Sequence, residues 1–364
     1  MAIYYGSGRT TGTISTNTTL AAGVYEYQNL TVNSGITLTV LNSAIILVKG
    51  TLALNGTIEV SNPGTGGLGG VLDSVPSNSS QGGTGGDAGG NISVIANTIT
   101  GSGTIRARGG SGTGGVAGTS NFTQDWAGNA ARRPGVGIPL VTPFTGGYSK
   151  PPITPLGGMS VGAVGGIAFQ YGIGSKIGYL WDFIQNSVIY QLKQGGLANS
   201  ILQAGSGGGG SSGAWSTSYA GAGGPGGAGG TMFGVGGNGG SSDNANGMTT
   251  IPDGYAGAGG GGAGGVILLV CPIVSSALNL DASGGAGGNA AGLTQNVPRG
   301  GGGGGGGGGL ILSFTDKDLN SMAVVSGGAA GLKSANTVNV SGASDGTMGT
   351  AGQYLYLPIS TYLS

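Results

Sequence analysis

Residues 89–110, GGNISVIANTITGSGTIRARGG, set two short runs of β-forming residues, 92–96 and 104–108, between a pair of glycine doublets. The design recurs at 264–285 (GGVILLVCPIVSSALNLDASGG) and at 308–328 (GGLILSFTDKDLNSMAVVSGG), with the two doublets opening 20, 20 and 19 residues apart. A fourth copy lacks the doublets. Residues 45–58 (IILVKGTLALNGTI) align without a gap on 92–105 (ISVIANTITGSGTI), so that Gly56, Thr57 and Ile58 match Gly103, Thr104 and Ile105. A recurring unit too short to bury its own apolar side marks a stacked architecture, in which each copy covers its neighbour.

Short strands at near-even spacing suit either a parallel β-helix or an antiparallel barrel, and the coil-like copy at 45–58 favours the helix. The expected fold is therefore mainly β: a parallel β-helix-like solenoid with glycine-rich excursions and one short α-helix. Strands are expected at 10–19, 30–32, 36–40 and 45–48, and a closing strand at 353–359. The alignment also fixes a register. With Ile58 and Ile105 inward, Glu59 and Arg106 point outward at equivalent positions, and directly stacked coils bring them within ion-pair reach.

Glycine fills 90 of 364 positions, about a quarter, against roughly 7% in ordinary chains. Ten stand in a row at 300–309. Glycine loses more backbone entropy on ordering than any other residue, so such a run is either a loose tether or a place that only bare backbone can occupy. Apolar strands at fixed spacing abut the runs, which a tether does not require. Collagen is excluded, because glycine does not keep to every third position and proline is scarce. The remaining option is a bundle of extended three-fold polyglycine II helices, hydrogen-bonded side by side so that every buried amide finds a partner.

Charged residues make up 7% of the chain, and 12 Lys plus Arg balance 12 Asp plus Glu. Zero net charge removes the electrostatic case for nucleic acid. No transmembrane segment is expected, since the longest apolar run, 266–274, contains Pro272 and is too short for a bilayer. Catalytic and cofactor chemistry are unexpected as well. The absence of His removes Ser-His-Asp and Cys-His arrangements and His-based metal sites. Asp316 and Asp318 around Lys317 read as a solvated turn, and residues 82–87, GGTGGD, as a chance fragment of a calcium-binding nonapeptide. Cys271, alone in an apolar run, reads as a small buried hydrophobe. The chain is expected to be no enzyme, with no metal and no cofactor.

Three regions follow: 1–62, β-strands serving for attachment; 63–330, the glycine-rich solenoid and polyglycine II bundle; and 331–364, closing strands. Residues 63–90 and 109–158 are expected to be glycine-rich excursions. Within the second region, residues 177–192 carry Ile177, Leu180, Trp181, Ile184 and Val188 on one helical face, with Gly195 and Gly196 as the stop. An exterior-looking composition without an export signal points to a protein assembled inside a cell and released by lysis, as a virion component is.

Polyglycine tracts bounded by short apolar strands and interrupted by aromatic residues resemble the glycine-rich tail-fibre-tip adhesins of T-even-like phages, and more loosely the glycine-rich β-solenoid proteins of virion surfaces. The resemblance covers residues 63–330. It implies a rigid glycine sandwich whose edge loops contact a host receptor, protein or glycan, with Trp126, Tyr148, Trp215, Tyr219, Phe233 and Tyr255 as the receptor-binding residues. It also implies other fibre, tail or capsid subunits as partners and the virion exterior, or otherwise an extracellular setting, as the location. Two further readings stand beside it. One is a purely structural capsid or tail subunit whose glycine region joins subunits. The other is a secreted ice- or carbohydrate-binding solenoid, for which residues 10–19 are the only candidate threonine ladder.

Overall fold

The computed structural model describes residues 5–21, 23–41, 43–61, 83–87, 89–114, 236–237, 257–275, 277–290, 301–333 and 344–360. The candidate helix at 177–192 lies outside them. They are mainly β, with strands β1 (Thr11–Ile14), β2 (Thr18–Leu20), β3 (Gly23–Tyr27), β4 (Asn29–Val32), β5 (Thr37–Leu41), β6 (Ser43–Leu54), β7 (Thr57–Ser61), β8 (Asn91–Thr100) and β9 (Thr104–Arg106). There follow β10 (Val266–Cys271), β11 (Ile273–Val274), β12 (Asn279–Asp281), β13 (Leu310–Thr315), β14 (Ala323–Val324) and β15 (Gln353–Pro358), with a 3-10 turn at Asn320–Met322.

Two sheets organise these strands, and every pairing in them is parallel. The larger sheet runs β1-β4-β6-β8-β10-β13-β15, with β3 on β6 and β11 on β8; the smaller runs β14-β12-β9-β7-β5-β2. Successive tiers thus give one strand path to the first sheet, turn, and give a short strand to the second. The turn repeats the same residues for a steric reason. A side chain on Gly103 would strike the Gly56 carbonyl, and one on Gly56 the carbonyls of Asn33 and Ile36. Each turn rests directly on the one beneath, as the bonds from Thr104 N–H to Gly56 O and from Asn279 N–H to Gly103 O record, both 3.0 Å.

The core lies between the sheets as in-register apolar rows. Leu38, Ile58, Ile105 and Leu280 form one row from the smaller sheet. Leu30, Leu52, Ile99 and Val274 form another from the larger. All eight are 0–2% exposed, and each stabilises the stack by about 1.5–3 kcal/mol through removal from water. β10 and β13 are buried on both faces, including Leu268, Val270, Leu312 and Phe314 on the side away from that core. This explains the continuous apolar sequence of β10, as sheets covered on both sides require; β13 admits Ser313 and Thr315, whose buried hydroxyls lie 2.9 Å apart.

The expected contact between Glu59 and Arg106 is present. The two residues pair across β7 and β9, with Arg106 Nη1 3.7 Å from Glu59 Oε2. The gap-free alignment holds only in this half. Upstream, Ile92 pairs with Ala44, not Ile45, and the register shifts between Val48 and Thr51. β6 carries one extra residue at Lys49-Gly50, a β-bulge, and Gly50 is needed there because a side chain would meet Asn29 Oδ1 and the Gln28 carbonyl. A bulge of this kind is invisible to an alignment that scores residue type alone.

Candidate functional site

Seven glycine-rich segments extend the strands beyond the side-chain core. Four precede larger-sheet strands: 83–90, 257–265, 301–309 and 344–352. Three follow smaller-sheet strands: 107–114, 282–290 and 325–333. Residues 83–87, 89–90 and 109–114, read from sequence as parts of excursions, therefore belong to the bonded framework.

Within each set, neighbours bond in parallel at every third residue: Gly83 to Gly257, Gly86 to Gly260 and Gly89 to Ala263; then Ala258 to Gly301, Gly261 to Gly304 and Gly264 to Gly307. Between the sets the bonds run antiparallel, as from Gly259 N–H to Thr113 O, Gly262 N–H to Gly110 O and Gly265 N–H to Ala107 O. These N···O distances lie between 2.7 and 3.1 Å. Two sheets separated by side chains normally lie about 10 Å apart. Where the side chains end, the two layers close until backbone meets backbone.

Glycine is required here for close approach, not for a left-handed backbone, since the positive-φ glycines among the described residues are Gly6, Gly8, Gly35 and Gly101, all outside these segments. A methyl group placed on Gly262 would lie against the Asp87 carbonyl, and one on Gly306 against that of Gly262, both well inside the 3.0 Å that real Cβ atoms keep. Glycine falls where backbone meets backbone, and the number of bonded segments among the described residues does not by itself set a segment's glycine content. Segment 301–309 bonds to four other segments and to Gly237, and is glycine throughout. Segment 282–290 bonds to four and admits Ser283, Ala286 and Asn289 at every third position. Segment 344–352 bonds to two and keeps only Gly346, Gly349 and Gly352.

The far edge of these layers is one place. Gly288 N–H bonds to Gly259 O, Gly303 to Gly288, Gly331 to Gly303 and Gly346 to Gly331, so the points where the chain leaves (Gly114, Ala290, Lys333) adjoin those where it returns (Gly257, Gly301, Ser344). Side chains pin this edge: Thr84 Oγ1 lies 2.9 Å from Thr113 Oγ1, Asn289 Oδ1 accepts from Leu332 N–H at 2.8 Å, and Asp345 Oδ1 accepts from Lys333 N–H at 2.8 Å. Residues 115–256, 291–300 and 334–343 all connect through it. Trp126, Tyr148, Trp215, Tyr219, Phe233 and Tyr255 fall within the first of these connections and lie outside the described residues.

Other polar groups serve the framework. Asp316 Oδ1 accepts from Val274 N–H at 3.0 Å, and Asp318 Oδ1 accepts from Asn320 N–H and Tyr354 O–H, both 2.9 Å. Asp281 Oδ2 lies 3.7 Å from Arg106 Nε and 3.4 Å from Arg108 Nε, extending the outer ion-pair row. Burial pushes the Cys271 thiol up to about 12, as its place in the core dictates. Among the described residues no three His, Cys, Asp or Glu side chains are grouped to hold a metal, and no helix is long and apolar enough to cross a membrane. No family model matches this chain, and no curated protein or solved structure matches it.

Proposed function

We propose that this chain is a non-enzymatic surface component of a virion, of the tail-fibre or spike adhesin type, built as a parallel β-solenoid that continues into a polyglycine II bundle. The observation that carries the reading is the common edge at which residues 115–256, 291–300 and 334–343 leave and rejoin layers made of bonded backbone. Such a platform suits recognition because loops held by a rigid scaffold can vary in sequence without disturbing it. Trp126, Tyr148, Trp215, Tyr219, Phe233 and Tyr255 are its proposed contacts to a receptor protein or glycan, since Trp and Tyr give large contact area with little entropy to lose. Residues 1–62 provide the attachment to a fibre, tail or capsid partner.

Adsorption of particles carrying Trp215→Ala and Tyr219→Ala tests this reading. Reduced adsorption with intact particles is expected; unchanged adsorption removes these residues from the receptor site and favours a purely structural subunit. A second reading, an ice- or carbohydrate-binding face, draws support from threonines in register well beyond residues 10–19: Thr37, Thr57 and Thr104 in one row, Thr51 beside Thr98, and Thr13 beside Thr31. Retention of the chain on insoluble glycans or ice, lost in Thr57→Lys, distinguishes it.

A further inference from the structure

Five outlying strands of the two sheets differ in how they meet solvent. β1, β2 and β14 have four, three and two residues. Short edges of this kind resist pairing with other chains. β3 carries Glu26 and is overlain by the chain start, since Ser7 N–H donates to Glu26 Oε2 at 3.0 Å and Gln28 N–H to Thr10 O at 2.6 Å. β15 has none of these protections. It is six residues long, QYLYLP, without charge or glycine, and among the described residues it pairs with β13 alone. The same end of the stack holds Val324, Leu332 and Met348, 46%, 58% and 67% exposed, three of the six large hydrophobic side chains that stand exposed among the described residues.

The free side of β15 has a definite polarity. Gln353 N–H bonds to Gly309 O and Ile359 N–H to Thr315 O, so odd-numbered residues bond toward β13, while Tyr354, Tyr356 and Pro358 direct their backbone groups outward. Pro358 has no N–H to leave unpaired, as befits an edge.

From this arrangement we infer that β15 is the interface of a symmetric dimer, pairing antiparallel with β15 of a second copy about a two-fold axis through Leu355. A perpendicular two-fold keeps each face of the sheet on its own side, so residues pair only with residues of like parity. The axis at Leu355 sets Tyr354 opposite Tyr356 of the second copy, and these outward-directed residues form hydrogen-bonded pairs. Leu355 meets its own counterpart in the close, non-hydrogen-bonded position. Both tyrosine pairs share the core-side face and both leucines the other, so the strand is complementary to itself in backbone polarity and side chain alike. Pro358 ends the pairing.

Sedimentation velocity on the full chain tests the dimer, with two variants. Leu355→Lys opposes two like charges across the axis and is expected to give a monomer with unchanged sheet content by circular dichroism. Leu355→Cys is expected to give a disulfide-linked dimer on mild oxidation, because close-paired Cα atoms about 4.5 Å apart fall within disulfide reach, while Val24→Cys at the opposite end gives none. The native Cys271 is fully buried and does not interfere. A monomeric native chain, a dimer that survives Leu355→Lys, or a Leu355→Cys chain that fails to cross-link overturns the inference.

Discussion

Replacing Gly262 with alanine asks whether the glycine layers are a close-packed solid or a slack tether. Gly262 donates to Gly110 O at 2.8 Å and accepts from Gly285 N–H at 2.8 Å. The added methyl meets the Asp87 carbonyl, which cannot swing aside because it accepts from Gly110 N–H at 2.7 Å. Making room opens about two of these bonds, and each buried group left unsatisfied costs roughly 1–3 kcal/mol, about 2–6 kcal/mol in all. The opposing effect is smaller: losing a glycine stiffens the unfolded chain and stabilises by about 0.4–1 kcal/mol. The net expectation is destabilisation, read as a lower denaturation midpoint with unchanged slope in guanidinium. Ala286→Gly, at a third position that already tolerates a methyl, is the matched control and should cost about 0.5–1 kcal/mol. A Gly262→Ala chain as stable as the parent, or more so, refutes the close-approach argument.

Ile105→Ala, in the centre of a fully buried row, should cost about 2–5 kcal/mol in the same assay. Arg106→Ala should change stability by about 0–1 kcal/mol, because the ion-pair row is partly exposed, and Arg106→Glu should cost more at low salt than at high salt, since it sets a third carboxylate beside Glu59 and Asp281. The Cys271 thiol should resist alkylation at pH 8 in the native state and react on unfolding. Its raised pKa also sets a sign: the unfolded thiol ionises near 9 while the folded one stays protonated to about 12. The contribution is therefore complete below pH 9 and is lost as the pH rises toward 12, and a Cys271→Ala chain should show a shallower alkaline decline.

Much of the framework could be read from residue order because its determinants are local and repeated. The Gly-Thr-Ile turn marks where each tier bends, and the match of Ile58 with Ile105 placed Glu59 beside Arg106. The shift in β6 could not be read, since a single extra residue at Lys49-Gly50 changes which side chains face inward without changing composition. Nor could the second buried face of β10 and β13 be told from simple hydrophobic excess. Residues 83–90 read as part of a glycine-rich excursion, yet the close backbone approaches fall on Gly83, Gly86 and Gly89, a spacing that residue type alone does not separate from a loop. The aromatic candidates rest on resemblance, as residue type alone does not bring Trp126 and Trp215 to one surface.

A wall made of main chain has no packing code. Side-chain cores accept a new layer only if knobs and hollows are redesigned to match, whereas an amide lattice presents the same face to every newcomer. The glycine part of a tier can therefore be copied, lost or moved by recombination within its own gene without redesigning its neighbours, whereas the apolar rows between the sheets must still match.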